Sequence, residues 1–236
     1  MALNPEIQFT WVGHGTWRVR SAGGKELLLD AWVQNNPVAP DSVKRFERLD
    51  VMAITHGHFD HIHDAVEIAE QHRPEVVAMV ELAHWLDSKG VAGASAYAFN
   101  KGGTVEVQGI KFTMVHAEHS CGITDGDRIV YGGEPCGYVI EFENGFKVYF
   151  SGDTDVFGDM RLIGELHEPD VAFLPIGGHF TMDPRRTAKA VELLGVKTVV
   201  PMHYGTFPLL AGTPDQLREQ LAGRADVVAC RPGESV

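Results

Sequence analysis

Apolar residues along this chain fall in short runs separated by polar, Gly-containing turns, and their spacing sets out its elements. Ile7–Val12, Trp17–Arg20 and Glu26–Asp30 read as strands, and the continuous apolar character of Val51–Thr55 suits a strand buried on both faces. Asp64–His72 predicts a helix with Ala65, Ile68 and Ala69 on one side, followed by a strand at Val76–Val80 and a helix over Glu81–Lys89 that Gly90 closes. Thr104–Val107, Ile110–His116, Tyr138–Phe142 and Phe146–Phe150 predict strands, the last two joined by a hairpin turn at Asn144-Gly145. The second half alternates more clearly. Asp170–Leu174, Lys197–Pro201 and Asp226–Ala229 read as strands. Between them, Asp183-Pro184 opens a helix that runs to Leu194 before Gly195, and Thr213-Pro214-Asp215-Gln216 opens one ending at Gly223. From Ala117 to Cys136 about 20 residues show little periodicity, which predicts a long loop, either a wall of a substrate pocket or a mobile insertion. With no internal repeat or linker, residues 1–236 are expected to form one domain.

A chain of 236 residues can hold a sizeable core. Its formal net charge of −12, with no run of Lys or Arg, argues against a nucleic-acid backbone as partner. The three cysteines, Cys121, Cys136 and Cys230, are odd in number and lack Cys-x-x-Cys spacing, so neither a disulfide framework nor a structural zinc site is expected. Met1–Thr10 lacks a basic region followed by an apolar core, and no apolar stretch approaches the roughly 20 residues of a membrane span. A cytoplasmic protein acting on a small molecule, without a membrane partner, is the expectation; a homo-oligomer is left open.

One tract changes this picture. His56-Gly57-His58-Phe59-Asp60-His61 packs three imidazoles and a carboxylate into six residues, directly after the apolar run Val51–Thr55. A buried strand running into such a cluster brings several ligand side chains to one point, and imidazole nitrogen and carboxylate oxygen suit borderline divalent metals. One metal rarely takes more than three or four protein ligands, so the density suggests two adjacent sites. His116, His119, Asp153 and His203 extend the set, several of them just after predicted strands. Two cations roughly 3.5–4 Å apart activate a shared water, so no protein nucleophile is needed.

The tract matches the His-x-His-x-Asp-His signature of the metallo-β-lactamase superfamily, and Ala117-Glu118-His119-Ser120, Ser151-Gly152-Asp153-Thr154 and Pro201-Met202-His203-Tyr204 match its later segments in order. More narrowly, Gly13-His14-Gly15-Thr16, Leu174–Met182 and the Tyr-Gly-Thr-Phe after His203 resemble bacterial metal-dependent hydrolases related to ascorbate-6-phosphate lactonases. The resemblance implies an αββα four-layer sandwich, two mixed sheets face to face with helices outside. It implies that His56, His58 and His119 hold a first metal and Asp60, His61 and His203 a second, with Asp153 bridging them. Asp60 would also aim the bridging hydroxide. His116 competes with His119 for one place and would otherwise support the site or line the pocket.

Several residues keep two readings. Asp64 is either the partner that orients a ligating histidine or a helix N-cap, and Glu118 is a second candidate partner. His14 and His179, both in Gly-flanked turns, either polarise the substrate or protonate a leaving group, or are bound to neighbouring loops. Arg185 and Arg186 either meet an anionic substrate tail or form a solvated helix face. His63 stands where relatives often have Gly. The expected cofactors are two divalent ions, zinc or manganese, with iron and nickel also compatible with these ligands. The leading activity is hydrolysis of a lactone or related ester. A phosphodiesterase is the alternative, and a non-hydrolytic redox or metal-sensing protein the outsider.

Overall fold

The computed structural model describes residues 3–236. The first half contributes strands β1 (Gln8–Gly13), β2 (Thr16–Arg20), β3 (Glu26–Leu29), β4 (Val51–Ala53) and β5 (Glu75–Val77), which pair in that order in one sheet. The first three run antiparallel, and β4 and β5 continue parallel to β3. Helices α1 (Phe59–Ile62), α2 (Ala65–His72) and α3 (Val80–Ser88) are interleaved with them. The rest of the chain gives β6 (Thr104–Val107), β7 (Ile110–His116), β8 (Gly122–Asp125), β9 (Arg128–Tyr131), β10 (Cys136–Glu141), β11 (Lys147–Phe150), β12 (Val171–Pro175), β13 (Thr198–Met202) and β14 (Asp226–Val227). It also carries α4 (Met160–His167), α5 (Pro184–Leu194) and α6 (Pro214–Leu221). Seven of these strands form a second sheet in the order β14-β13-β12-β11-β10-β7-β6, and β8 pairs only with β9.

Three apolar clusters explain why so many strands are apolar at successive positions. The largest lies between the sheets: Trp17, Leu27, Val51 and Ala53 from one meet Phe112, Tyr138, Phe150 and Phe173 from the other. The neighbouring residues on the same strands point outward. Leu28 and Met52 pack with Ile68, Leu82 and Leu86 of α2 and α3, while Ala172, Leu174 and Val199 pack with Ile163, Val191 and Leu217 of α4 to α6. A strand buried on both faces has no polar side, hence the unbroken runs. This is the αββα sandwich.

Three elements differ from the expectation. The segment 117–136 is not structureless: it folds a hairpin in which Asp125 faces Arg128 across Gly126-Asp127, with Gly126 at φ +64°. Ile123 of this hairpin is fully buried and joins the cluster under α2 and α3. Helix α4 is an added element that the apolar spacing does not announce, since its buried face is only Met160 and Ile163. Finally, β5 ends at Val77 and α3 already begins at Val80, and the four residues Phe59–Ile62 form a helical turn with His58 at its N-cap.

Candidate metal centre

Loops at the ends of strands from both sheets bring the histidines and carboxylates together. His14 occupies the β1–β2 turn, Asp30 follows β3, the tract follows β4, His119 follows β7, Asp153 follows β11 and His203 follows β13. The two sheets are tied here by a backbone hydrogen bond from His203 N to the His14 carbonyl at 3.0 Å. Three of these residues have a left-handed backbone, His14 at φ 58°, Asp30 at 57° and His203 at 55°, which costs a non-Gly residue free energy and marks places where position outranks local preference. Gly152, at φ +59°, lets the chain pass Thr55 so closely that an added Cβ would lie 2.7 Å from the Thr55 Cβ.

Two groups of ligand atoms result, joined at Asp153. In one, His58 Nδ1 lies 3.0 Å from His56 Nε2 and 3.2 Å from His119 Nε2. In the other, Asp153 lies 3.3 Å from His61 Nε2 and 3.0 Å from His203 Nε2, and Asp60 Oδ2 lies 3.8 and 3.6 Å from the same two nitrogens. Asp153 Oδ2 also stands 3.7 Å from His119 Nε2 and 4.0 Å from His56 Nε2. His14 adjoins the second group, its Nε2 2.8 Å from Asp60 Oδ2 and its Nδ1 2.9 Å from the Thr206 hydroxyl.

These residues fit metal ions. The buried atoms His61 Nε2, Asp153 Oδ1 and both ring nitrogens of His203 have no aligned hydrogen-bond partner, although they face one another at short range. Buried polar atoms left this way are costly unless something coordinates them. Two nitrogens on one tetrahedral ion at about 2.0–2.1 Å lie about 3.3–3.4 Å apart, close to the spacings of the histidine trio.

The outer nitrogens are also held. Asp30, fully buried, accepts hydrogen bonds from His61 Nδ1 at 2.6 Å and from the Thr55 amide and hydroxyl. Because the Thr55 hydroxyl donates its single hydrogen to Asp30, it accepts one from His56 Nδ1 at 3.0 Å. One carboxylate thus turns the Nε2 atoms of His61 and, through Thr55, His56 inward. Sequence reasoning treated Asp30 only as the last residue of a strand. On the opposite flank, the exposed Ser120 hydroxyl lies 3.2 Å from His58 Nε2.

Electrostatics divide the groups. Burial, reinforced by the positive charge of His61, holds His56 well below the usual imidazole range and also lowers His58; burial lowers His119. The trio is therefore neutral near pH 7, with lone pairs free. Burial opposes protonation of His61 and His203 as well, but there the negative charges of Asp153 and its neighbouring carboxylates win, raising His61 well above its ordinary value and His203 to about 9. Burial and the charge of His203 lower His14 to about 4. Protons thus balance Asp60 and Asp153 in the metal-free protein, and an ion on this side must displace them.

Other expected residues lie elsewhere. Asp64 orients no histidine, and its side chain does not cap α2; it is buried and accepts the backbone N–H groups of Val33 and Gln34. His116 is exposed, against Lys101, Glu118 and the Phe157 ring, outside the ligand groups. Glu118 accordingly bonds His116 rather than a clustered histidine. His179 is exposed in the loop after β12, its ring edge-on to Phe180, and belongs to none of the groups. Arg185 and Arg186 lie exposed on the first turn of α5, and Arg186 pairs with Asp155 at 3.7 Å. His63 is exposed and meets Asn35.

Residues 25–204 match the family described as the beta-lactamase superfamily domain. The chain belongs to that family. Within this superfamily it is 53% identical over 229 residues to a metal-dependent hydrolase of Koribacter versatilis, covering 97% of each chain. It is 51% identical to a second, from Solibacter usitatus, covering 98% of this chain and 99% of the other. A solved metallo hydrolase of the hyperthermophilic archaeon Ignicoccus hospitalis superposes with a TM-score of 0.83 at 35% identity, over 98% of this chain and 97% of that one. The expected superfamily, fold and class of enzyme agree with these relatives. No helix among the described residues is long and apolar enough to cross a membrane.

Proposed function

We propose that this metal-dependent hydrolase opens a lactone or a related ester-type bond in a small molecule, using two divalent ions. The observation that carries the reading is the pair of inward-facing donor groups that share Asp153. In this reading His56, His58 and His119 would hold one ion and Asp60, His61 and His203 the other, with Asp153 available to both. When bound, the ions would supply an ionised water at neutral pH and polarise the bond to be cleaved. The protein's own contribution is position. Asp30 fixes the imidazoles from behind, and His14, held by Thr206, donates through Nε2 to Asp60 and keeps that carboxylate turned to the centre. The short contact and the buried His14 ring favour this orienting role over proton transfer to substrate.

A carbonyl centre is favoured over a phosphodiester because the candidate cationic contacts, Arg185 and Arg186, are exposed and Arg186 is engaged by Asp155. Turnover of a simple lactone and of an activated phosphodiester, at equal concentration with zinc- or manganese-loaded protein, tests this. Lactone cleavage alone is expected. Cleavage of the diester alone refutes the ester assignment and moves the search to cyclic nucleotides and related diesters.

A further inference from the structure

The two flanks of the centre are chemically unlike. Beside His58 stands the Ser120 hydroxyl. Beside Asp60 stand rings. Phe59, between His58 and Asp60 in sequence, is 53% exposed, and its ring meets that of Trp32 edge-on at 5.6 Å. Trp32 stacks on Phe207 at 6.0 Å, and both pack against His14, at 5.2 and 5.8 Å. His14 itself touches Asp60. The wall therefore begins one imidazole away from a ligand-type carboxylate, and three chain segments converge to build it: the loop after β3, α1 and the loop after β13.

A half-exposed Phe on a soluble chain is ordinary alone, but a contiguous aromatic surface bordering a polar reaction centre is the usual make-up of a small-molecule pocket. Trp32 is almost wholly buried, so the Phe59 ring rests on a fixed support rather than waving in solvent. The site has no matching anchor for an anion, since no Lys or Arg side chain contacts the rings or the donor groups among the described residues' ion pairs and hydrogen bonds.

Building on the ester-hydrolase reading, we propose that Phe59, Trp32 and Phe207 form an apolar subsite that seats an alkyl or aryl substituent of the substrate next to the Asp60 side of the centre, selecting hydrophobic lactones and esters over phosphorylated or sugar-like ones. The substituent lies on Phe59, and the ring of Trp32 sets the depth of the seat.

Binding can be read without turnover. Straight-chain carboxylates from acetate to octanoate, which carry the acid group an opened ester would have, are titrated into zinc-loaded protein by calorimetry. Burying a methylene is worth about 0.8 kcal/mol, or roughly fourfold at full burial, so affinity is expected to rise two- to fourfold per added carbon before levelling. Phe59→Ala is expected to flatten that slope and Phe59→Leu to keep most of it; Phe59 is exposed enough that neither should unfold the chain. Equal affinity along the series, no binding at all, or an unchanged slope in Phe59→Ala overturns the subsite. So does concentration-dependent dimerisation that Phe59→Ala abolishes, which would give the wall to a second copy. If lactones are not turned over yet the slope holds, the reaction assignment falls and the subsite stands; turnover without a slope has the opposite meaning.

Discussion

Replacing Asp30 with Asn changes one oxygen to NH₂ and isolates the carboxylate's role in orienting the histidines. Asn tolerates the left-handed backbone at φ 57° as well as Asp does, so the turn should persist. Its oxygen can still accept the Thr55 amide, now 2.8 Å away. The NH₂ group then faces His61 Nδ1, where a carboxylate accepted at 2.6 Å, and a donor there forces the ring to carry its hydrogen on Nε2 instead. Nε2 is the atom that faces Asp153, and with a hydrogen on it the ring cannot ligate. Loss of such an outer partner typically lowers metal affinity 10- to 100-fold, about 1.4–2.7 kcal/mol. Competition with a chromogenic chelator gives the affinity, and thermal unfolding of the metal-free protein gives the control. Asp30→Asn is expected to lose metal and also to lower the metal-free Tm, because it takes a counter-charge from the buried, protonated His61; the stabilisation that added metal gives should shrink beyond that loss. Wild-type affinity in the variant would refute the tautomer argument. Asp30→Ala should add a stability loss of about 2–5 kcal/mol, since it strands both Thr55 donors in the interior.

Asp153→Ala should empty both donor groups and abolish activity together, so full metal content in that variant would end the bridging assignment; among single histidines, His119→Ala should lower occupancy and His116→Ala should not. The pH dependence has a definite sign. His203 is raised from 6.5 to about 9 in the metal-free fold, so its stabilising contribution is complete below about pH 6.5 and fades as pH rises through about 9. Metal-free Tm should therefore fall across that window while metal affinity climbs, by up to about tenfold per unit for one displaced proton; a metal-free Tm that rises there would contradict the assignment. Gly57→Ala should cost about 1–3 kcal/mol by overpacking, because the added Cβ would lie 2.5 Å from Ile123 Cγ1, and Gly57→Ala combined with Ile123→Ala should recover part of the loss in chemical denaturation.

Strands buried on both faces announced themselves as apolar runs, and the ligand-type residues stood at their ends, so the sandwich and the donor set were legible in residues such as Val51–Thr55 and the tract behind them. What escaped depends on contacts distant in sequence. Asp30 has its partner at His61, and nothing local distinguishes it from any acidic residue closing a strand. Asp64 looked like a cap, but its oxygen is taken by the amides of Val33 and Gln34 from another loop. The hairpin had a readable turn, Gly126-Asp127 between Ile123 and Ile129, and was overlooked because its strands have only four residues each. His179 resembled His14 in its glycine flank, yet the fold buries one against Asp60 and leaves the other beside Phe180 in solvent.

The donor groups and their neighbour His14 draw on both sheets, from His14 near the start of the chain to His203 near its end, and a backbone hydrogen bond joins those two residues. No fragment ending before β13 can hold both donor groups, so the complete centre needs both sheets in place. Metal bound there would act as a clasp on one rim, slowing the separation of the halves. A chain cut between β5 and β6 should therefore release its ions when its two parts dissociate and recover them only when the parts pair again.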